Sequence, residues 1–209
     1  MAVFDIFRRR RPISDMRKLA DFIDENSAFL VQKAIYEYSR ARAGHYSKVL
    51  FAEADFHKAV EQSRWRAYPL GLAMVAEVVD SVVNSGVDRR QKSDALVKIV
   101  LSVFDRYPVP DSLGAPTWRK LRTDLERRLQ LITLHPPKRV IDIPEPFAKL
   151  YFDLMPIHEK LRSRDYPTTH NYLKVTLCNI HEELTKRMDT NAVAVLFGAR
   201  ATHEQVGGG

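Results

Sequence analysis

Apolar residues recur every three or four positions through most of this chain, the spacing of amphipathic helices. After Ser14, a residue suited to capping a helix N-terminus, Met16, Leu19, Ala20 and Ile23 form one stripe. Leu30, Ala34, Ile35 and Tyr38 continue it, with Asn26 and Ser27 as the expected point of division. A further helix over 48–66 is predicted to turn Val49, Ala52, Phe56, Val60 and Ser63 to one face. Pro69 is expected to open the most apolar helix, Leu70 to Asn84, with Gly86 as its C-cap. Leu96, Val97, Val100, Leu101 and Phe104 make an amphipathic stripe that Pro108 ends.

Residues 107–117 hold Pro108, Pro110, Gly114 and Pro116 and read as a linker, the one place where a sub-boundary fits. Beyond it, Trp118, Leu121, Leu125, Leu129 and Ile132 form a stripe, with Arg119, Lys120, Arg122, Arg127 and Arg128 turned mostly outward. His135 to Pro146 is a second break, in which Val140, Ile141 and Ile143 suit a short extended piece. Phe147, Leu150, Tyr151, Leu154, Ile157 and Leu161 keep one helical phase across Pro156, which predicts a single kinked helix. Tyr172, Leu173, Thr176, Leu177, Ile180 and Leu184 mark the last long helix, and a short apolar piece, Ala192 to Phe197, follows. No fixed-period repeat and no sustained alternation is present. The expected fold is all-α, a bundle-like array of seven to nine helices, as one body or two packed halves. It spans 14–199, after an N-terminal segment 1–13 and before a tail 200–209.

Composition sharpens this picture in three places. Eight glycines, three of them terminal, are too few for a turn-rich sandwich or barrel. The lone Cys178 excludes an intramolecular disulfide and points to a reducing, cytoplasmic setting. No apolar run reaches the roughly 18 residues of a membrane span, and the arginines at 8–11 follow rather than precede an apolar stretch, so no secretory signal is expected. The net charge of +7 looks like a nucleic-acid signal until it is divided. Arg8 to Arg11 supply four of the 33 basic residues, leaving 29 against 26 acidic. Many of those 29 precede expected helix ends, where a cation offsets the helix dipole.

Candidate chemistry is sparse. Cys178 and His181, at i and i+3, could pair as thiolate and imidazole or as metal ligands, but free cysteine is usually a small buried hydrophobe. Glu53, His57 and Glu61 repeat at i, i+4 and i+8, without the spacing of known di-metal bundles, and read as a solvated face. Neither a metal nor a cofactor is expected. Glu77, Asp80 and Asn84 form a narrow polar strip on the most apolar helix. Unpaired charges are rarely buried, so the strip is expected to face solvent. The alternative is a pair of acids in a cleft, able to bind a cation or act in proton transfer, with His57 as a further candidate ligand-binding residue. Arg64, Trp65 and Arg66 place an aromatic between two cations, an interface composition, although an inward Trp with outward arginines gives the same pattern.

The N-terminus carries Val3, Phe4, Ile6 and Phe7 directly before Arg8, Arg9, Arg10 and Arg11. An apolar patch beside a basic cluster suits an anionic membrane surface, an acidic partner protein, or docking of the two phenylalanines on the bundle. No catalytic motif is present: neither a phosphate-binding glycine loop nor a nucleophile elbow. The leading expectation is therefore a non-catalytic helical binding or adaptor protein with a protein partner, peripheral at the inner membrane surface. A helical enzyme or ligand-binding protein with an acidic cleft is the alternative. Nucleic-acid binding ranks last, because the charge outside 8–11 is nearly balanced and no recognition motif appears.

Overall fold

A computed structural model of the chain describes residues 12–83, 88–132 and 134–189, together with Ala192 and Phe197. The chain is all-α: every regular element among the described residues is helical. Helix α1 (Met16–Ser27) passes through a π-helical stretch, Ala28–Lys33, into α2 (Ala34–Ala43). A 3-10 turn leads to α3 (Ser47–Ala52) and then to α4 (Ala54–Val82), the longest helix at 29 residues. Next come α5 (Arg89–Phe104), α6 (Ala115–Ile132), α7 (Ala148–Asp153), α8 (Glu159–Arg162) and α9 (Tyr166–Arg187). One isolated parallel bridge joins Ile13 to Met188. There the Ile13 amide donates to the Arg187 carbonyl at 2.8 Å and the Asp189 amide to the Ile13 carbonyl at 3.1 Å, tying the start of α1 to the end of α9.

The core is organised around α4. Every residue from Ala67 to Asp80 is buried, so this stretch is enclosed on all sides rather than along one stripe. It packs against α1, the π-helical stretch, α5, α6 and α9, elements drawn from both sides of the 107–117 segment. Sequence periodicity divides this region into two helices at Pro69; the structure runs one helix through it. Proline removes one backbone hydrogen bond and typically costs about 3 kcal/mol inside a helix. Burial of both flanking turns holds the helix together here. The first part of the expected 48–66 stripe also changes: Val49 and Ala52 lie on the exposed α3, and the chain turns extended at Glu53 before α4 begins.

The join between α1 and α2 is not a break but a continuous helix that widens over Ala28–Lys33. Each π turn takes in an extra residue, which rotates the following face so that Leu30, Val31, Ile35 and Ser39 point into the core. Gly71 of α4 crosses this stretch so closely that a Cβ there would sit 2.8 Å from Val31 Cγ2 and 3.0 Å from the Ser27 carbonyl oxygen. Glycine is required by that approach.

Three smaller expectations are corrected. Asp15, not Ser14, caps α1, its carboxylate accepting the Lys18 amide at 2.9 Å. The kinked helix across Pro156 is two short helices, α7 and α8, because proline disfavours helical backbone at the preceding residue and lacks an N–H. Val140–Asp142 is a 3-10 turn rather than an extended piece, since no neighbouring strand is available to pair with it. Asn84 and Gly86 lie outside the described residues, as do 1–11 and 198–209.

Candidate functional site: a groove floored by α4

Helix α6 packs chiefly on α4 and α5, while α7 packs on α9. The two therefore flank α4 without closing over it. The result is a groove whose floor is α4, whose one wall is α6, and whose other wall is the 135–147 segment with α7. Two adjoining cavities make up the groove, and Arg128 lines both. The wider, about 300 Å³, is lined by Pro69, Leu70, Leu121, Leu125, Leu150 and Leu154. The narrower, about 150 Å³, reaches Glu77, Asp80, Ile132, Pro137, Lys138 and Phe147.

Glu77 and Asp80 stand at the deep end of the groove, each only 5% exposed. The expectation that they face solvent is overturned, and the reason is that each has its own lysine. Lys138 Nζ lies 2.9 Å from Glu77 Oε1 and 2.8 Å from its Oε2. Lys92 of α5, itself 7% exposed, reaches Asp80 Oδ1 at 2.8 Å and also donates to the Asp80 and Val83 carbonyls at 2.9 Å each. A buried charge is tolerated when it is paired and hydrogen-bonded. Burial raises the Glu77 carboxyl above its ordinary value; the hydrogen bond and charge of Lys138 oppose that shift, and the nearby Asp80 charge adds to it.

Charge on the rim has the opposite sign. Arg66, Lys120 and Arg128 line the wider cavity, with Asp124 as the acidic residue among them. Asp124 itself faces Arg127 at 3.5 Å. Arg66 and Lys120 make no ion pair with any described residue. The Arg128 guanidinium lies over the Phe147 ring, 5.7 Å from its centroid, a cation–π contact on the groove wall. Leu131 and Leu150, both exposed, add apolar surface to the two walls.

The other sequence candidates do not converge on this site. His57 is exposed near the start of α4, about 30 Å along the helix from Glu77, and lines a separate surface depression with Trp65, Tyr107 and Pro110. Trp65 packs edge-on against Tyr68, Tyr107 and Trp118, Arg64 pairs with Glu61 at 2.5 Å, and Arg66 alone of that triplet reaches the groove. Cys178 is exposed rather than buried, because α9 turns Leu173, Leu177, Ile180 and Leu184 inward and leaves position 178 on the outer face. No group of three or more His, Cys, Asp and Glu that could hold a metal exists among the described residues. Phe4, Ile6, Phe7 and Arg8 to Arg11 lie outside the described residues. Among the described residues no helix is long and apolar enough to cross a membrane.

Sequence reasoning placed Lys120 and Arg128 on a solvated face and did not connect them with Pro69 and Leu70. The available signal was Leu131 and Leu134, exposed apolar residues that no amphipathic stripe absorbs. No protein-family model matches the chain, and neither a curated protein nor a solved structure matches it.

Proposed function

We propose that this chain is a non-catalytic helical binding protein whose groove over α4 receives an amphipathic, acidic helix of a partner protein. The observation that carries this reading is the combination of an aliphatic floor with a basic rim in one concave surface. Helix-in-groove recognition uses apolar anchors at i, i+3, i+4 and i+7, with charge at the edges. The α4 floor from Arg66 to Asp80 gives a groove of about 21 Å, room for a helix of several turns. Arg66, Lys120 and Arg128 would meet acidic side chains of the occupant. A lining of Pro69, Leu70, Leu121 and Leu125 suits leucine-like anchors better than nucleic-acid bases, which stack on aromatic rings.

The acidic-cleft alternative gains less support. A proton-transfer role needs carboxylates that reach a substrate, and both Glu77 and Asp80 are held by lysines. Attachment at an anionic membrane through Phe4, Ile6, Phe7 and Arg8 to Arg11 is a second contact in this proposal, supported by the sequence of that segment.

Selection of random peptides on the immobilised full chain tests the groove. The expected winners carry leucine or phenylalanine at helical spacing among Asp and Glu, and they lose binding to Leu131→Asp and to Arg128→Glu. Selected peptides that are basic, or that bind both variants as tightly as the parent, would overturn the proposal. So would concentration-dependent self-association blocked by the same substitutions, which would make a second copy of the chain the occupant.

A further inference from the structure

A second concavity, about 460 Å³, lies between α2 and the first turns of α9. Its walls are the small residues Ala34 and Ala41 on one side and Tyr151, Met155, Thr169 and Tyr172 on the other. The local sequence explains the space. Ala34 is the first residue after the π-helical stretch, and Ala41 lies two turns on, so a strip of α2 presents methyl groups where larger side chains would fill the gap. Across from it, Tyr151 is completely buried and its hydroxyl donates to the Val31 carbonyl at 3.2 Å, which fixes the ring that forms the base of the cleft.

Polar groups around this cleft divide into committed and uncommitted ones. The Tyr38 hydroxyl donates to Asp165 Oδ2 at 2.6 Å, and Arg42 reaches the same oxygen at 2.7 Å. Arg42 also bonds the Leu161 carbonyl. The charges of that trio cancel at the mouth. Thr169 differs: it is 7% exposed, its amide donates to the Asp165 carbonyl at 2.9 Å, and its hydroxyl makes no hydrogen bond with any described residue. A helical threonine hydroxyl commonly bonds the carbonyl one turn back. Thr169 lacks that bond and lines the cleft.

We propose that this cleft binds an uncharged, aromatic small molecule of about two fused rings, bearing one oxygen that hydrogen-bonds to Thr169. The volume lies in the range of small-molecule sites, about 300–1,000 Å³, and the lining has their usual character of apolar walls with few directed polar groups. Tyr172, half-buried in the wall, offers its ring to an aromatic guest. A charged guest would give up its hydration against apolar walls whose Arg42 and Asp165 already pair with each other, so neutrality is the selective feature. This site is independent of the α4 groove, and neither proposal needs the other.

Calorimetric titration of the full chain with naphthol, naphthoate and naphthylmethylamine tests it. Naphthol should bind saturably, one per chain, with the two charged analogues at least about tenfold weaker, a difference of about 1.4 kcal/mol. Thr169→Val should weaken naphthol by about three- to tenfold, the range expected for one net hydrogen bond. Ala41→Phe, which fills the cleft from an exposed helix position, should abolish binding while the far-ultraviolet dichroism stays unchanged. Should Ala41→Phe fail to fold, Thr169→Val and the charge series decide alone. No saturable naphthol binding at millimolar concentration, equal binding of all three probes, or full binding by Ala41→Phe would each overturn the proposal.

Discussion

Replacing Lys92 with Met removes one ammonium and strips three acceptors of their partner. Lys92 Nζ holds Asp80 Oδ1 at 2.8 Å and the carbonyls of Asp80 and Val83 at 2.9 Å, where α4 ends. Both side chains are more than nine-tenths buried, so water does not replace the lost contacts at no cost. Breaking a buried pair from one side typically costs about 3–5 kcal/mol, because the remaining charge is uncompensated. Against a total stability of about 5–15 kcal/mol, that is a large fraction. For a chain of this size it lowers the thermal midpoint by about 6–20 °C. Asp80→Asn should cost less, since Lys92 keeps both carbonyls and an amide oxygen beside it. Lys149→Met, which breaks an exposed i,i+4 pair with Asp153, should leave the midpoint unmoved. Urea and thermal unfolding followed by dichroism measure all three. A loss below about 1 kcal/mol for Lys92→Met would place this pair in the range of solvated surface bridges and refute its role in seating α4.

Other consequences are equally direct. Gly71→Ala should destabilise the protein by about 1–3 kcal/mol despite the better helix propensity of alanine, because the new methyl meets a backbone carbonyl at 3.0 Å; a rise in the unfolding midpoint would contradict the close crossing. Glu77 binds its proton more tightly folded than unfolded, so its contribution to stability falls as pH rises from its ordinary value of 4.5 through the higher folded value. Glu77→Gln should therefore flatten the stability profile just above pH 4.5, and the parent should gain on the variant as pH is lowered; a gain in the other direction would reverse the sign of the shift. Removing residues 1–11 should abolish co-sedimentation with anionic vesicles at low salt and leave the helical dichroism intact; retention of binding would move the membrane contact elsewhere.

Helical periodicity made the fold class legible, since the stripes through Leu96, Val100 and Phe104 or Leu173, Leu177 and Leu184 needed only local spacing. Where proline intervened, local rules failed in both directions. Pro69 stays inside a helix because the turns on either side of it are buried, while Pro156, in the connection after α7, disfavours helical backbone at the residue before it. The acidic pair was visible as a strip but not as a buried one. Its partners, Lys92 and Lys138, stand 12 and 61 residues away in the chain, and only the packing of α5 and the 135–147 segment brings them to α4. The groove was illegible for the same reason: Arg66, Arg128 and Leu150 belong to three elements whose common face exists only once α6 and α7 have settled on either side of α4. The π-helical stretch left no periodic signature, because one inserted residue within a continuous apolar run changes facing without changing composition.

A charge exchange across the groove tests the proposed acidic occupant most directly. An acidic peptide selected on the parent chain is titrated into Arg128→Glu, and the same peptide with one Glu changed to Lys is titrated into both proteins. Arg128→Glu should weaken the acidic peptide by about tenfold, about 1.4 kcal/mol, and a lysine at one peptide position should restore the loss. Binding of the original peptide unchanged by Arg128→Glu, or a loss that no peptide lysine recovers, would contradict it.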